Sequence, residues 1–122
     1  MLSLNHVSLL ISDIQKSEEF YRNILNLSPV KERPELGFPG IWYQLGELQI
    51  HLLVCDNPYN MKFIPKHGGR DRHLAFNTDN LSDIINNLEA FQIEYTKSQS
   101  GRKAVFFRDP DLNVIEIIER AT

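Results

Sequence analysis

One cysteine, Cys55, is all that 122 residues provide. A lone thiol excludes an internal disulfide framework and suits a reducing cytoplasm. Positive charge is also short: 13 Lys and Arg stand against 16 Asp and Glu, giving a formal net charge of -3 and a pI near 5.8. A dedicated nucleic-acid binder should show a basic stripe, and this chain has none. Long hydrophobic runs are missing too. The opening "MLSLNHVSLLIS" lacks a basic flank, and Asp13 ends its apolar stretch early. It is neither a signal peptide nor a membrane span. The "NLS" tripeptides at 26 and 80 are then irrelevant as glycosylation sites. These absences predict a soluble cytoplasmic protein with no nucleic-acid or membrane partner.

What is present is an ordinary globular mixture, 42% hydrophobic and 24% charged, of a length suited to one domain with a real core. "LNHVSLLI" (4–11) has strand character, and Ser12 and Asp13 offer a helix N-cap. Ile14, Phe20, Tyr21, Ile24 and Leu25 then form a helical stripe. Pro29 and Pro34 bar helix from continuing. "GIWYQLG" and "LQIHLLV" predict a hairpin turning near Gly46 and Glu47. A polar stretch with two prolines and two adjacent glycines, 55–71, is the linker. Beyond it come a strand "RHLAFNT", a helix "LSDIINNLEAF", a short strand within "EYTKS", and the pair "KAVFFR" and "NVIEIIE" around "DPDLN". The expected order is β-α-β-β-β twice: one domain over 1–122, with module one about 1–54 and module two about 72–122.

An internal repeat supports that division. Laid over "HLAFNTDNLSDIINNL", the segment "HVSLLISDIQKSEEFY" places His6 on His73, Ile14 on Leu81 and Tyr21 on Leu88 without a gap. His51 falls in the last strand of the first half, and Glu116 in the last strand of the second. Glu116 is the odd residue in "NVIEIIE". A buried lone carboxylate is costly unless paired or bound to a metal, so either that face is wet or something cationic sits beside it. Strand side chains alternate. His51 therefore shares a face with Gln49 and Leu53, away from Ile50, Leu52 and Val54, and His73 shares one with Ala75 and Asn77. The more hydrophobic faces should meet the helices, leaving the polar residues on the opposite, concave side. Two such halves facing each other would converge His6, His51, His73 and Glu116 on one divalent cation.

The paired layout, with "NHVSLLISDIQKSEEFYRNIL", "LQIHLL", "GGRDRHLAF" and "GRKAVFFRDPDLNVIEI", resembles the vicinal oxygen chelate superfamily over essentially the whole chain. That family includes glyoxalase I, fosfomycin-resistance proteins, extradiol dioxygenases, methylmalonyl-CoA epimerase and bleomycin-resistance proteins. The resemblance implies an α+β fold of two βαβββ modules forming a curved mixed sheet around a central metal-binding cavity. It places metal ligands at the positions of His6, His51, His73 and Glu116. The second is often Glu or Gln in glyoxalase I and the epimerase, so His51 departs from the usual glyoxalase set; it is either a ligand or a residue lining the pocket. One divalent ion, Zn, Ni, Co, Fe or Mn, suits such donors. The implied function is a metal-dependent lyase or isomerase of glyoxalase I type, with Glu116 as base, acting as a homodimer on a small oxygenated metabolite or its thiol adduct. The alternatives are a dioxygenase or a thiol or epoxide transferase, and a metal-free binding protein of bleomycin-resistance type.

Among Arg33, Arg70, Arg72, Arg102 and Arg108, candidates for an anionic substrate, Arg102 is the first choice and Arg70 the second. The rest are expected to be solvated or paired with "DPD" and nearby acids. His67, beside Gly68 and Gly69, is expected to be a solvated loop residue. Trp42, Tyr43, Phe106 and Phe107 either pack the core or line the pocket.

Overall fold

A computed structural model describes residues 1–59 and 62–120. Asn60 and Met61, in the expected linker, and Ala121 and Thr122, closing the expected second module, lie outside the described residues. The chain separates into two compact units, Met1–Pro58 and Tyr59–Thr122, divided within the expected linker.

In the first unit, β1 (His6–Ile11) leads into α1 (Ile14–Leu25), followed by the hairpin of β2 (Gly40–Leu45) and β3 (Leu48–Val54). The Asp13 carboxylate starts α1 by accepting the N–H groups of Gln15 and Lys16 at 3.0 and 3.1 Å. Asn26, left-handed at φ 56°, ends it, its N–H donating to the Arg22 carbonyl. Gly46 takes the positive φ of 59° that the two-residue hairpin turn needs. The sheet order is β1-β3-β2, with β1 parallel and β2 antiparallel to the central β3. Phe20, Tyr21 and Ile24 of the helix are buried, as are Ile41, Tyr43, Ile50 and Leu52 of the sheet. Each such side chain contributes about 1.5–3 kcal/mol through the apolar area it removes from water.

The second unit repeats the plan with one more strand: β4 (His73–Thr78), α2 (Leu81–Ala90), β5 (Tyr95–Lys97), β6 (Ala104–Arg108) and β7 (Val114–Glu119), preceded by a 3-10 turn over Gly68–Arg70. The order is β4-β7-β6-β5, again with one parallel pair, β4 beside β7. Leu81 and Leu88 of α2 are buried, as are Val105, Phe107, Ile115 and Ile117. Asp109 closes the β6–β7 turn, one oxygen accepting N–H groups of Asp111 and Asn113, both at 2.9 Å.

The α+β class and the two modules follow the sequence expectation; the strands form two separate sheets. The first sheet has three strands, where four were expected. Among the described residues, the segment after α1 gives β2 one backbone hydrogen bond, from Val30 N–H to Trp42 O at 2.8 Å. Pro29 and Pro34 flank it, and prolines cannot donate to a ladder.

The repeat is visible in the registers. His51 lies opposite Ser8 on β1 and Trp42 on β2. Glu116 lies opposite Ala75 on β4 and Phe106 on β6. Ser8 follows His6 by the same step as Ala75 follows His73, so His51 and Glu116 are structural counterparts, and so are Trp42 and Phe106.

Candidate functional site

In the first unit, the sheet face away from Ile50 and Leu52 carries three stacked rings. His51 lies between Trp42, at a centroid distance of 4.0 Å and 5° from parallel, and His6, at 4.2 Å and 17°. A chain of amides fixes the ring of His51. Gln44 Nε2 donates to the Gly46 carbonyl at 2.7 Å, which turns Gln44 Oε1 toward Gln49 Nε2, also at 2.7 Å. Gln49 Oε1 then faces His51 Nε2 at 2.8 Å. A carbonyl only accepts, so the direction propagates: His51 Nε2 carries the proton and Nδ1 the lone pair. Burial, reinforced by the neighbouring His6 and by the Arg33 guanidinium, holds the His51 pKa below the ordinary imidazole value. In His6 the arrangement is reversed. Its Nδ1 donates to Asn5 Oδ1 at 2.7 Å, leaving Nε2 as the acceptor of the neutral ring.

In the second unit, Glu116 is 2% exposed and answers the question its strand raises. One carboxylate oxygen lies 3.3 Å from His73 Nε2, the other 3.3 Å from Arg102 Nη2. His73 Nδ1 donates to the Asp71 carbonyl at 2.9 Å. A neutral His73 would therefore turn a lone pair toward a carboxylate oxygen. Two acceptors stay together when a proton, on either partner, or a metal ion lies between them. Phe106 supports the imidazole edge-on, with centroids 5.2 Å apart.

The remaining candidates are sorted by these contacts. Arg102, from the exposed 98–103 loop, reaches Glu116. Arg70 is exposed at the end of the 3-10 turn and makes no ion pair among the described residues. Arg72 lies over the Tyr59 ring at 4.6 Å. Arg108 is structural: it pairs with Asp71 at 2.9 Å and donates to the carbonyls of Pro65 and Leu112. Its acid partner is Asp71, outside the "DPD" turn. Trp42 and Phe106 lie on the imidazole-bearing faces, whereas Tyr43 and Phe107 are buried on the opposite ones.

His67 corrects the sequence expectation of a solvated loop residue. Its Nδ1 accepts the Gly69 N–H at 3.0 Å, its Nε2 donates to the Lys97 carbonyl at 2.9 Å, and its ring leans on Phe106 at 5.0 Å. Both nitrogens are engaged in tying the linker to β5.

Among the described residues no three His, Cys, Asp or Glu side chains gather in a group that could hold a metal ion; His6 and His51 lie together in the first unit, and His73 and Glu116 in the second. Imidazole nitrogens and a carboxylate are donors of the kind a divalent transition metal takes, and in each ring the nitrogen hydrogen-bonded elsewhere fixes the one left over.

A family model described as the Glyoxalase/Bleomycin resistance protein/Dioxygenase superfamily matches residues 3–117. The chain is 30% identical over 122 residues to Glyoxylase I 4 of Arabidopsis thaliana, covering 96% of this chain and 70% of the plant protein. It is 26% identical over 118 residues to the mitochondrial methylmalonyl-CoA epimerase of Mus musculus, covering 88% of this chain and 66% of the epimerase. Among solved structures it is similar in fold to a mutant of the fosfomycin resistance protein FosX from Listeria monocytogenes, complexed with Mn(II) and 1S,2S-dihydroxypropylphosphonic acid. The TM-score is 0.76 at 17% identity, covering 99% of this chain and 94% of that one.

Proposed function

This chain belongs to the Glyoxalase/Bleomycin resistance protein/Dioxygenase superfamily, and from that premise we propose that it is a metal-dependent lyase or isomerase of glyoxalase I type. Its ligands are His6, His51, His73 and Glu116, and its substrate is a small oxygenated metabolite or the thiol adduct of one. The supporting observation is the buried Glu116 facing His73 Nε2 at 3.3 Å, an acceptor pair whose register is repeated at His51 in the other half. A divalent ion bound there supplies Lewis acidity toward neighbouring substrate oxygens.

The protein's own residues then have separate tasks. Glu116 is the base: a carboxylate oxygen takes the proton from the carbon beside the substrate carbonyl and returns it. Arg102 holds the other oxygen and so orients the carboxylate. Trp42 and Phe106, flanking His51 and His73, keep the ligand rings in place. Proton removal beside a carbonyl serves isomerisation and epimerisation alike, in keeping with one relative named as an epimerase. A complete donor set argues against a metal-free binding protein, which has no need of it. A homodimer accords with the superfamily's dimeric members, and sedimentation equilibrium tests it.

The experiment is proton exchange. Metal-loaded protein in heavy water should incorporate deuterium beside the carbonyl of the thiol adduct of a small dicarbonyl compound, and Glu116→Gln should not. Exchange at an undiminished rate in Glu116→Gln would refute the assignment of the base. Oxygen uptake in place of exchange would move the reading to the dioxygenases.

A further inference from the structure

Beside the rings of the first unit lies a guanidinium that makes no ion pair among the described residues. The segment that follows α1 comes alongside β2 at Val30, and three residues later Arg33 reaches back over the strand. Its Nη2 donates to the Phe38 carbonyl at 2.9 Å, and its guanidinium carbon sits 5.3 Å from the centre of the Phe38 ring. Gly40 makes room for it. A Cβ at that position would come within 2.8 Å of Arg33 Nη2 and 3.1 Å of Nε, as well as 2.5 Å from the Leu52 carbonyl oxygen. By strand alternation, Gly40 shares its face with Trp42, which stands opposite His51 in the ladder. The guanidinium thus lies on the imidazole-bearing face.

No Asp or Glu among the described residues forms an ion pair with Arg33. Its Nε is buried and has no hydrogen-bond partner. An unsatisfied buried donor is destabilising, more so when it is charged. A purely structural role, clasping the loop through the Phe38 carbonyl, explains Nη2. It leaves Nε orphaned.

We propose that Arg33 is an anion-binding residue, taking a carboxylate or phosphate group of the ligand through Nε and its remaining N–H groups. The planar fork matches two oxygens of either anion. The assignment rests on the metal-dependent reading only for the identity of the molecule that carries the anion, a substrate with an acidic group.

Trp42 is the one tryptophan in the chain, so its fluorescence reports on this face directly. Inorganic phosphate is titrated into metal-stripped protein at constant ionic strength, with acetate as a parallel arm. Wild type should give a saturable change. Arg33→Gln should raise the half-saturating concentration about tenfold or more, as expected for loss of a charge-assisted pair. Arg33→Lys, which keeps the charge and loses the fork, should fall between them and carries the test if Arg33→Gln does not fold. Arg120→Gln, after β7, should match wild type. Tighter phosphate assigns a phosphate-bearing ligand; tighter acetate assigns a carboxylate. The proposal is overturned if wild type shows no saturable response to either anion, if Arg33→Gln and Arg33→Lys titrate like wild type, or if the response is lost in Arg102→Gln instead. Metal content, measured separately, keeps the two readings apart. A wild type that binds phosphate through Arg33 but never binds metal overturns the metal reading alone.

Discussion

His73 Nε2 stands 3.3 Å from Glu116 Oε1, while its other ring nitrogen is already committed to the Asp71 carbonyl. That relationship makes the carboxylate tolerable in an apolar strand. Arg102 contributes from the far oxygen, but its side chain is 58% exposed, so solvent screens much of its charge. The cation between imidazole and carboxylate decides the chemistry. A proton would make the pair a local structural contact; a metal would make it part of a binding site.

Glu116→Gln separates these cases. On the metal reading the amide is a poor ligand and no base, so metal affinity should fall by about a hundredfold or more and proton exchange should vanish. The fold should survive, since Gln keeps the volume and can still accept from Arg102. Competition titration with a chromophoric chelator measures the first effect. Unchanged affinity would leave only the local ion pair.

The amide chain in the first unit fixes a tautomer. Long-range nitrogen–proton spectra of metal-free protein should show His51 protonated at Nε2, and His6 and His73 protonated at Nδ1 when neutral. Gln49→Leu should erase the His51 preference and weaken metal binding about 10–100-fold, the usual cost of losing a residue that orients a ligand. If Gln49→Leu alters the tautomer and leaves affinity intact, His51 lines the site without binding.

Much of this could be read before any coordinates. The period-two alternation around His51 and Glu116 fixed which face each occupies, because strand geometry leaves no choice. The hairpin at Gly46 and the cap at Asp13 announced themselves through turn and cap chemistry. Other features could not be read. Gln44 and Gln49 look like any solvent-facing polar pair, since nothing local orders two flexible amides until a register places them opposite each other. Arg33 and Gly40 are separated by a loop whose path has no periodic signal. The role of His67 is hidden for a similar reason: its acceptor, the Lys97 carbonyl, is 30 residues away. Pro29 and Pro34, which bar helix, also keep the segment after α1 from joining the first sheet as a fourth strand.

Gly68 tests the support beneath His73. A Cβ there would meet Val114 Cγ1 at 2.5 Å and Phe106 Cβ at 3.3 Å. Val114 is β-branched and buried, so it cannot swing aside. Gly68→Ala should cost about 1–3 kcal/mol in urea unfolding, as overpacking does. It should also loosen metal binding, because Val114 is the register partner of His73 and Phe106 is its ring contact. A neutral effect on both would mean that the linker packs less tightly than these distances indicate.

Acid stability should trace to Asp71. Burial alone would raise its pKa, but the Arg108 hydrogen bond, the Arg72 backbone N–H and both positive charges outweigh that and hold it below the ordinary carboxylate value. A depressed carboxylate pKa stabilises the fold above the unfolded value, near 3.8, and that contribution is lost as pH falls through the lower, folded value. Asp71→Asn should therefore cost about 1 kcal/mol at pH 7. The gap from wild type should close below about pH 4. Urea midpoints measured across that range check the sign. A gap that persists in acid would assign the loss to packing rather than charge.

The most direct test of the metal assignment is elemental analysis of untagged protein by mass spectrometry, purified without added metal and then challenged with each divalent ion. One equivalent of a transition metal should be found, and it should be lost in both His6→Ala and Glu116→Gln, which lie in different halves of the chain. A protein that stays metal-free through every challenge, or one that holds its metal in both variants, would contradict it.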